Sequence, residues 1–181
     1  MNNLKIISWN VNGIRAAYKK GFLDFIKKEN ADIVCLQEIK ALEEQLPKDL
    51  RNIEGYELFI NPADPEIRKG YSGVAIYSKL KPNKEIKNQI GEKFEDREGR
   101  IISLEFDDFI LFNVYFPNGG KSEEHFEYKL NFYKEIIKYL KKLIINHTRR
   151  GIERIVGHPI LVTICRHRQP NAMQTRVSAH K

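Results

Sequence analysis

The chain has 181 residues, of which 41% are hydrophobic and 30% charged, enough for one packed domain and too few for two ordinary ones. Its formal net charge of +7 suggests a nucleic-acid partner, but the charge is unevenly distributed. Residues 1–144 carry 24 Lys+Arg against 23 Asp+Glu and residues 145–181 carry 7 against 1, which excludes a uniformly basic domain and places a boundary near residue 144.

In chain order, Leu4–Asn10 is rich in β-branched and aromatic residues and is closed by Asn-Val-Asn-Gly, so it reads as a strand. Ala16, Ala17, Phe22, Phe25 and Ile26 then take helical spacing, with Lys19, Lys20, Lys27 and Lys28 on the opposite side. Ile33-Val34-Cys35-Leu36 is a short apolar run that reads as a strand buried on both faces and ends in Glu38. A short helix is expected at 43–50. Tyr56–Ile60 and Gly73–Ser78 read as strands separated by a polar, Pro-containing loop. Ile101–Phe106 and Phe109–Tyr115 read as an antiparallel hairpin across Asp107-Asp108.

Ser122 is placed to cap a long helix with Glu123 and Glu124 in its first turn. Phe126, Leu130, Tyr133, Ile137, Leu140 and Ile144 form one apolar stripe, expected to pack on a sheet. Ile160–Cys165 is a candidate strand. From Arg166 onward no apolar period exists, and the tail is expected to be poorly ordered. The architecture expected is α/β with mixed sheets, comprising a main unit at 1–144 and a divergent basic tail at 145–181. No Gly-rich phosphate loop appears. No run is long and apolar enough to span a bilayer, so the expectation is a cytoplasmic protein with no membrane partner. Cys35 and Cys165 are the only thiols and make no disulfide framework. His158, Cys165 and His167 match no standard zinc spacing.

Asn10, Glu38 and the Tyr115-Phe116-Pro117-Asn118 segment all fall at strand ends. If those strands share a sheet, an amide, a carboxylate and a phenol line one rim. A carboxylate held by a rigid strand suits Mg²⁺, and Asn and Tyr suit hydrogen bonding to phosphate oxygens.

Five ordered segments, Ser8-Trp9-Asn10-Val11-Asn12-Gly13-Ile14-Arg15-Ala16, Leu36-Gln37-Glu38-Ile39-Lys40, Gly70-Tyr71-Ser72-Gly73-Val74-Ala75, Glu98-Gly99-Arg100-Ile101-Ile102 and Asn113-Val114-Tyr115-Phe116-Pro117-Asn118-Gly119, resemble the exodeoxyribonuclease III branch of abasic-site endonucleases. This branch belongs to the endonuclease/exonuclease/phosphatase superfamily. The resemblance covers about residues 3–143. It implies the N-terminal part of a four-layer α/β sandwich with an incomplete second half. It also implies Mg²⁺-dependent (alternatively Mn²⁺-dependent) cleavage of double-stranded DNA beside abasic sites, with 3′-to-5′ exonuclease and 3′-phosphatase activity. By the same resemblance Glu38 is the metal ligand, Asn10 supports metal or phosphate, and Tyr115 is the active-site phenol. Asn118 would contact phosphate, and Lys40 and Arg100 would contact the DNA backbone.

The family pattern is then interrupted. Its second half should supply a Gly-Asp-Phe-Asn strand end and a terminal Asp-His pair, and neither is present. No Asp follows Asp108, and Glu153 is the only carboxylate side chain beyond residue 144. The reading is therefore a truncated family member with little or no turnover, whose tail has the composition of an out-of-frame or chimeric end. An uncovered sheet face is expected to promote self-association. The competing reading is a non-catalytic nucleic-acid-binding fragment that grips phosphates with its basic tail.

Overall fold

The computed structural model describes residues 4–87, 89–90, 94–120, 122–149, 160–164 and 173–177. Along the chain these form β1 (Leu4–Asn10), α1 (Ile14–Lys19), α2 (Phe22–Glu29), β2 (Ile33–Gln37), a 3₁₀ turn (Glu43–Gln45), α3 (Lys48–Arg51), β3 (Glu57–Asn61), β4 (Val74–Ser78), β5 (Lys84–Lys87), β6 (Gln89–Ile90), β7 (Phe94–Glu95), β8 (Ile101–Glu105), β9 (Ile110–Val114), α4 (Glu123–Arg149), β10 (Ile160–Ile164) and β11 (Met173–Val177).

Strand alternation explains the layering. In β2, Ile33 and Cys35 point one way and Val34 and Leu36 the other, and all four are fully buried because both faces are covered. The first sheet, in the order β11-β1-β2-β4-β3, packs Ile6, Ile33, Cys35, Val74 and Ile76 against Ile102, Leu104 and Leu111 of the second sheet. That second sheet has the order β10-β9-β8-β5. On the outer face of the first sheet, Ile7, Val34, Leu36 and Tyr77 meet Ile14, Phe22 and Ile26 of the helices. On the outer face of the second, Ile101, Ile110, Phe112 and Val114 meet Phe132 and Ile136 of α4. The result is helix, sheet, sheet, helix, as expected of the family sandwich. β1 and β2 run parallel while β8 and β9 form the antiparallel hairpin, so both sheets are mixed.

Four features differ from the sequence reading. First, most of the stripe on α4 is not core: Phe126, Leu130, Tyr133 and Ile137 are exposed, and Phe132 and Ile136 make the sheet contact, with Leu140 the member of the stripe that packs beside them. Phe132 stands over Phe116 and Tyr139 over Phe112, and the stripe lies about a third of a turn from Phe132 and Ile136, with Tyr133 reaching back to stack on Phe116. Second, the outer faces of both sheets carry helix contacts, and exposed large apolar side chains gather on this helix. Third, α4 continues through the boundary near residue 144 to Arg149. Fourth, Met173–Val177, given no strand in the sequence reading, pairs antiparallel with β1, where β1 would otherwise present unpaired backbone groups. β10 does lie beside β9, in parallel register. Cys165 and the rest of the candidate zinc set, His158 and His167, fall outside the described residues.

Candidate active site

Asn10 and Gln37 are opposed at the ends of the parallel pair β1 and β2, and Tyr115 follows immediately after β9 in the facing sheet. Their side-chain directions follow from alternation. Ile6 faces the inter-sheet core, so Ser8 and Asn10 share that side, as do Gln37 after Cys35 and Tyr115 after Leu111.

By the same count Glu38 should point the other way. It does not, because its backbone is left-handed, with φ 53°, a conformation that costs a non-Gly residue about 1–3 kcal/mol and persists only when its surroundings over-determine it. A bracket of main-chain hydrogen bonds does so here. The Gly13 N–H donates to the Glu38 carbonyl at 2.7 Å, the Ile14 N–H to the Ile39 carbonyl at 3.0 Å, the Ile39 N–H to the Gly73 carbonyl at 3.1 Å and the Lys40 N–H to the Ser72 carbonyl at 3.0 Å. Gly73 must be glycine, since it has φ 81° and a Cβ there would lie 2.7 Å from Ile39 Cγ1.

The turned carboxylate meets three groups. Asn10 Nδ2 donates to Glu38 Oε1 at 2.7 Å, Lys40 Nζ lies 3.0 Å from Oε2, and the Tyr115 phenol hydrogen-bonds to the same carboxylate. Asn10 is itself oriented by the Asn12 N–H donating to its Oδ1 at 3.0 Å, and Lys40 also donates to Asn12 Oδ1. Burial alone would raise the Glu38 carboxyl, but the hydrogen bonds from Asn10, Lys40 and Tyr115, with the charge of Lys40, outweigh it and hold the group below its ordinary value. Burial and the neighbouring Glu38 push the Tyr115 phenol well above its ordinary value, so it is a neutral donor.

Arg100 is 1% exposed and is not offered to solvent as a backbone-contacting cation would be. Its Nε donates to Glu98 Oε2 at 2.6 Å, Nη1 to the Tyr115 carbonyl at 3.2 Å and Nη2 to the Tyr71 hydroxyl at 2.8 Å. The guanidinium carbon lies 4.9 Å from the centre of the Tyr115 ring. In this structure Arg100 fixes Tyr115 from behind. Asn118 lies outside the cluster, in an exposed turn where its Oδ1 accepts the Gly120 N–H at 3.1 Å.

Beneath the rim is a polar pair to which the sequence reading gave no role. Gln37 Nε2 donates to Ser8 Oγ at 3.1 Å and to Asn113 Oδ1 at 2.7 Å, and Asn113 Nδ2 donates to the carbonyls of Leu36 and Ala75 at 3.0 and 2.9 Å. Both residues are 0% exposed, so the two sheets are bonded together directly under the carboxylate. The signal was available: a polar amide in the middle of the apolar run Ile110–Val114 must find partners if that run is buried.

The chain matches the endonuclease/exonuclease/phosphatase family over residues 7–174. It belongs to that family. It is 41% identical over 141 residues to an exodeoxyribonuclease of Bacillus subtilis, covering 77% of this chain and 53% of that protein. It is also 41% identical over 138 residues to the DNA repair nuclease APEX1 of Danio rerio, covering 76% of this chain and 44% of that protein. Among solved structures it superposes on an AP endonuclease from Archaeoglobus fulgidus with a TM-score of 0.66 at 31% identity, covering 77% of this chain and 51% of that one. The chain thus spans about half the length of the relatives it matches. No helix among the described residues is long and apolar enough to cross a membrane.

Proposed function

We propose that this chain carries the N-terminal half of the catalytic centre of a Mg²⁺-dependent abasic-site endonuclease and 3′-to-5′ exodeoxyribonuclease, with little or no turnover by itself. The observation that carries the reading is the convergence in space of Asn10, the last residue of β1, with Glu38 and Tyr115, which directly follow β2 and β9. The names of the relatives support DNA as the substrate class.

The donor set fits a hard cation to a limited extent. Mg²⁺ commonly takes one or two carboxylates and keeps several waters, and Glu38 is such a carboxylate. Among the described residues, however, no cluster of three or more His, Cys, Asp or Glu accompanies it. Glu38 would hold the ion with Asn10 beside it, and Mn²⁺ would suit the same oxygens. When bound, the ion would neutralise charge developing on phosphate oxygens. The chain's own residues do the rest: Asn10 orients the carboxylate, and the neutral Tyr115 phenol supplies a proton-bearing oxygen at the rim. Lys40 adds a positive charge that favours an approaching phosphate.

Among the described residues, no side chain is placed to take the proton of the attacking water. Asp96 accepts the main-chain N–H groups of Glu98 and Arg100, and Glu98 is committed to the Arg100 guanidinium. Losing a general base costs about 10²–10⁴-fold in rate.

An incision assay on a duplex with a single abasic site, with and without Mg²⁺, tests the proposal alongside Mn²⁺ titration of the same sample. The expected result is Mn²⁺ binding that Glu38→Gln abolishes, with cleavage at least about 10²-fold below a full-length relative. Robust cleavage that Glu38→Gln abolishes would overturn the inactivity, and metal binding indifferent to Glu38→Gln would overturn the site.

A further inference from the structure

We infer that α4 is a self-docking surface on which two copies of this chain pair antiparallel. The surface is the stripe Phe126, Leu130, Tyr133 and Ile137, which are 51%, 43%, 37% and 50% exposed. Single exposed apolar side chains are ordinary, but four on one line of a helix are a contiguous patch of the kind that marks an interaction site. The inference does not depend on the catalytic reading.

The spacing specifies the kind of partner. Steps of 4, 3 and 4, continued by 3 to the half-buried Leu140, make a heptad seam with Leu130 and Ile137 at a positions and Phe126, Tyr133 and Leu140 at d positions. Phe132 and Ile136 carry the packing on the sheet, with Leu140 at its edge and the Tyr133 ring stacked on Phe116 at 4.4 Å, so a second helix approaches from the outer side of the seam, over Phe126, Leu130 and Ile137. An antiparallel copy centred beside Glu135 sets every a position opposite a d position. Leu130 then meets Leu140 of the second copy, and Tyr133 meets Ile137 of the second copy. The contact is isologous and closes as a dimer.

Charge decides the direction. The exposed flank of the seam carries Glu127, Lys134 and Lys141. In the antiparallel register Glu127 of each copy faces Lys141 of the other, giving two opposite-charge pairs against one Lys134 self-contact at the axis. In a parallel register Lys129 would face Lys134, and no opposite-charge pair would form across the seam. A second copy therefore complements this face in both shape period and charge, provided it runs antiparallel.

Sedimentation velocity of the full chain over a concentration series tests this. The expected result is a concentration-dependent species of twice the monomer mass. The double variant Leu130→Lys with Ile137→Lys should be monomeric with unchanged helical circular dichroism, since both positions are exposed. Lys141→Glu alone should weaken the dimer about tenfold, and adding Glu127→Lys should restore it. A monomer throughout, a dimer indifferent to the double lysine variant, or a charge swap that fails to restore Lys141→Glu would each overturn the proposal. The first of these outcomes leaves the stripe for another polypeptide; the second places the contact elsewhere.

Discussion

The Lys40 ammonium lies 3.0 Å from Glu38 Oε2, with the two side chains 32% and 9% exposed, so a positive charge already occupies the carboxylate face that a divalent ion would use. Lys40 and a metal therefore compete. A half-exposed ion pair contributes up to about 1 kcal/mol, and Lys40→Ala should tighten Mn²⁺ binding by about fivefold in calorimetric titration. Were Lys40 only a phosphate contact, the same variant would leave metal affinity alone and weaken DNA binding.

Arg100→Ala should cost about 1–3 kcal/mol in urea unfolding, because it opens a void at a side chain that is 1% exposed and removes the donor to the Tyr115 carbonyl, while Glu98, 26% exposed, is re-solvated. Arg100→Lys should recover little of this, since one ammonium cannot reach Glu98, Tyr71 and the Tyr115 carbonyl together. A loss below about 0.5 kcal/mol, the range of ordinary surface substitutions, would show that Arg100 does not brace the site.

Asn113→Ala should destabilise by about 1–3 kcal/mol, leaving Gln37 Nε2 without its inter-sheet acceptor. In a double-mutant cycle, Gln37→Leu combined with Asn113→Ala should cost less than the sum of the single changes. Additive losses would mean that the two amides do not act as a unit.

Two buried phenols govern the alkaline side of stability. Burial raises both Tyr77, which donates to the Leu50 carbonyl at 2.7 Å, and Tyr115 well above their ordinary values. In the unfolded chain a phenol ionises near pH 10. The stabilisation is complete below that value and is lost as pH rises toward the folded values, because the unfolded state then holds fewer protons. Urea midpoints should fall above about pH 10, and Tyr77→Phe should flatten that fall. Glu38 contributes in the opposite sense: its depressed value adds stability above about pH 4.3, lost as pH drops through the folded value. Glu38→Gln should remove that slope from the acid limb.

The central strands and the β8–β9 hairpin were legible because buried two-faced runs such as Ile33–Leu36 leave few alternatives, and the ordered motifs brought Asn10, Glu38 and Tyr115 to one rim. The orientation of Glu38 was not legible. Its left-handed backbone depends on hydrogen bonds from Gly13, Ile39 and Lys40 to chain positions far apart in sequence. Arg100 read as a DNA-backbone contact, and nothing local in the sequence reports that two tyrosines and Glu98 enclose it. The α4 stripe read as core because a perfect apolar period fits a sheet contact and a helix contact equally well, and only Phe132 and Ile136 in place distinguish them.

The pairing of β1 with β11 constrains how the molecule can be made. Leu4 finds its neighbour in Val177, which is made far later in the chain. Throughout synthesis the outer edge of β1 is therefore an open row of main-chain donors and acceptors, ready for a strand from any nascent chain nearby. The long closure also places this contact late in folding. Chaperone demand and yield should thus depend more on residues 173–177 than on the well-packed centre.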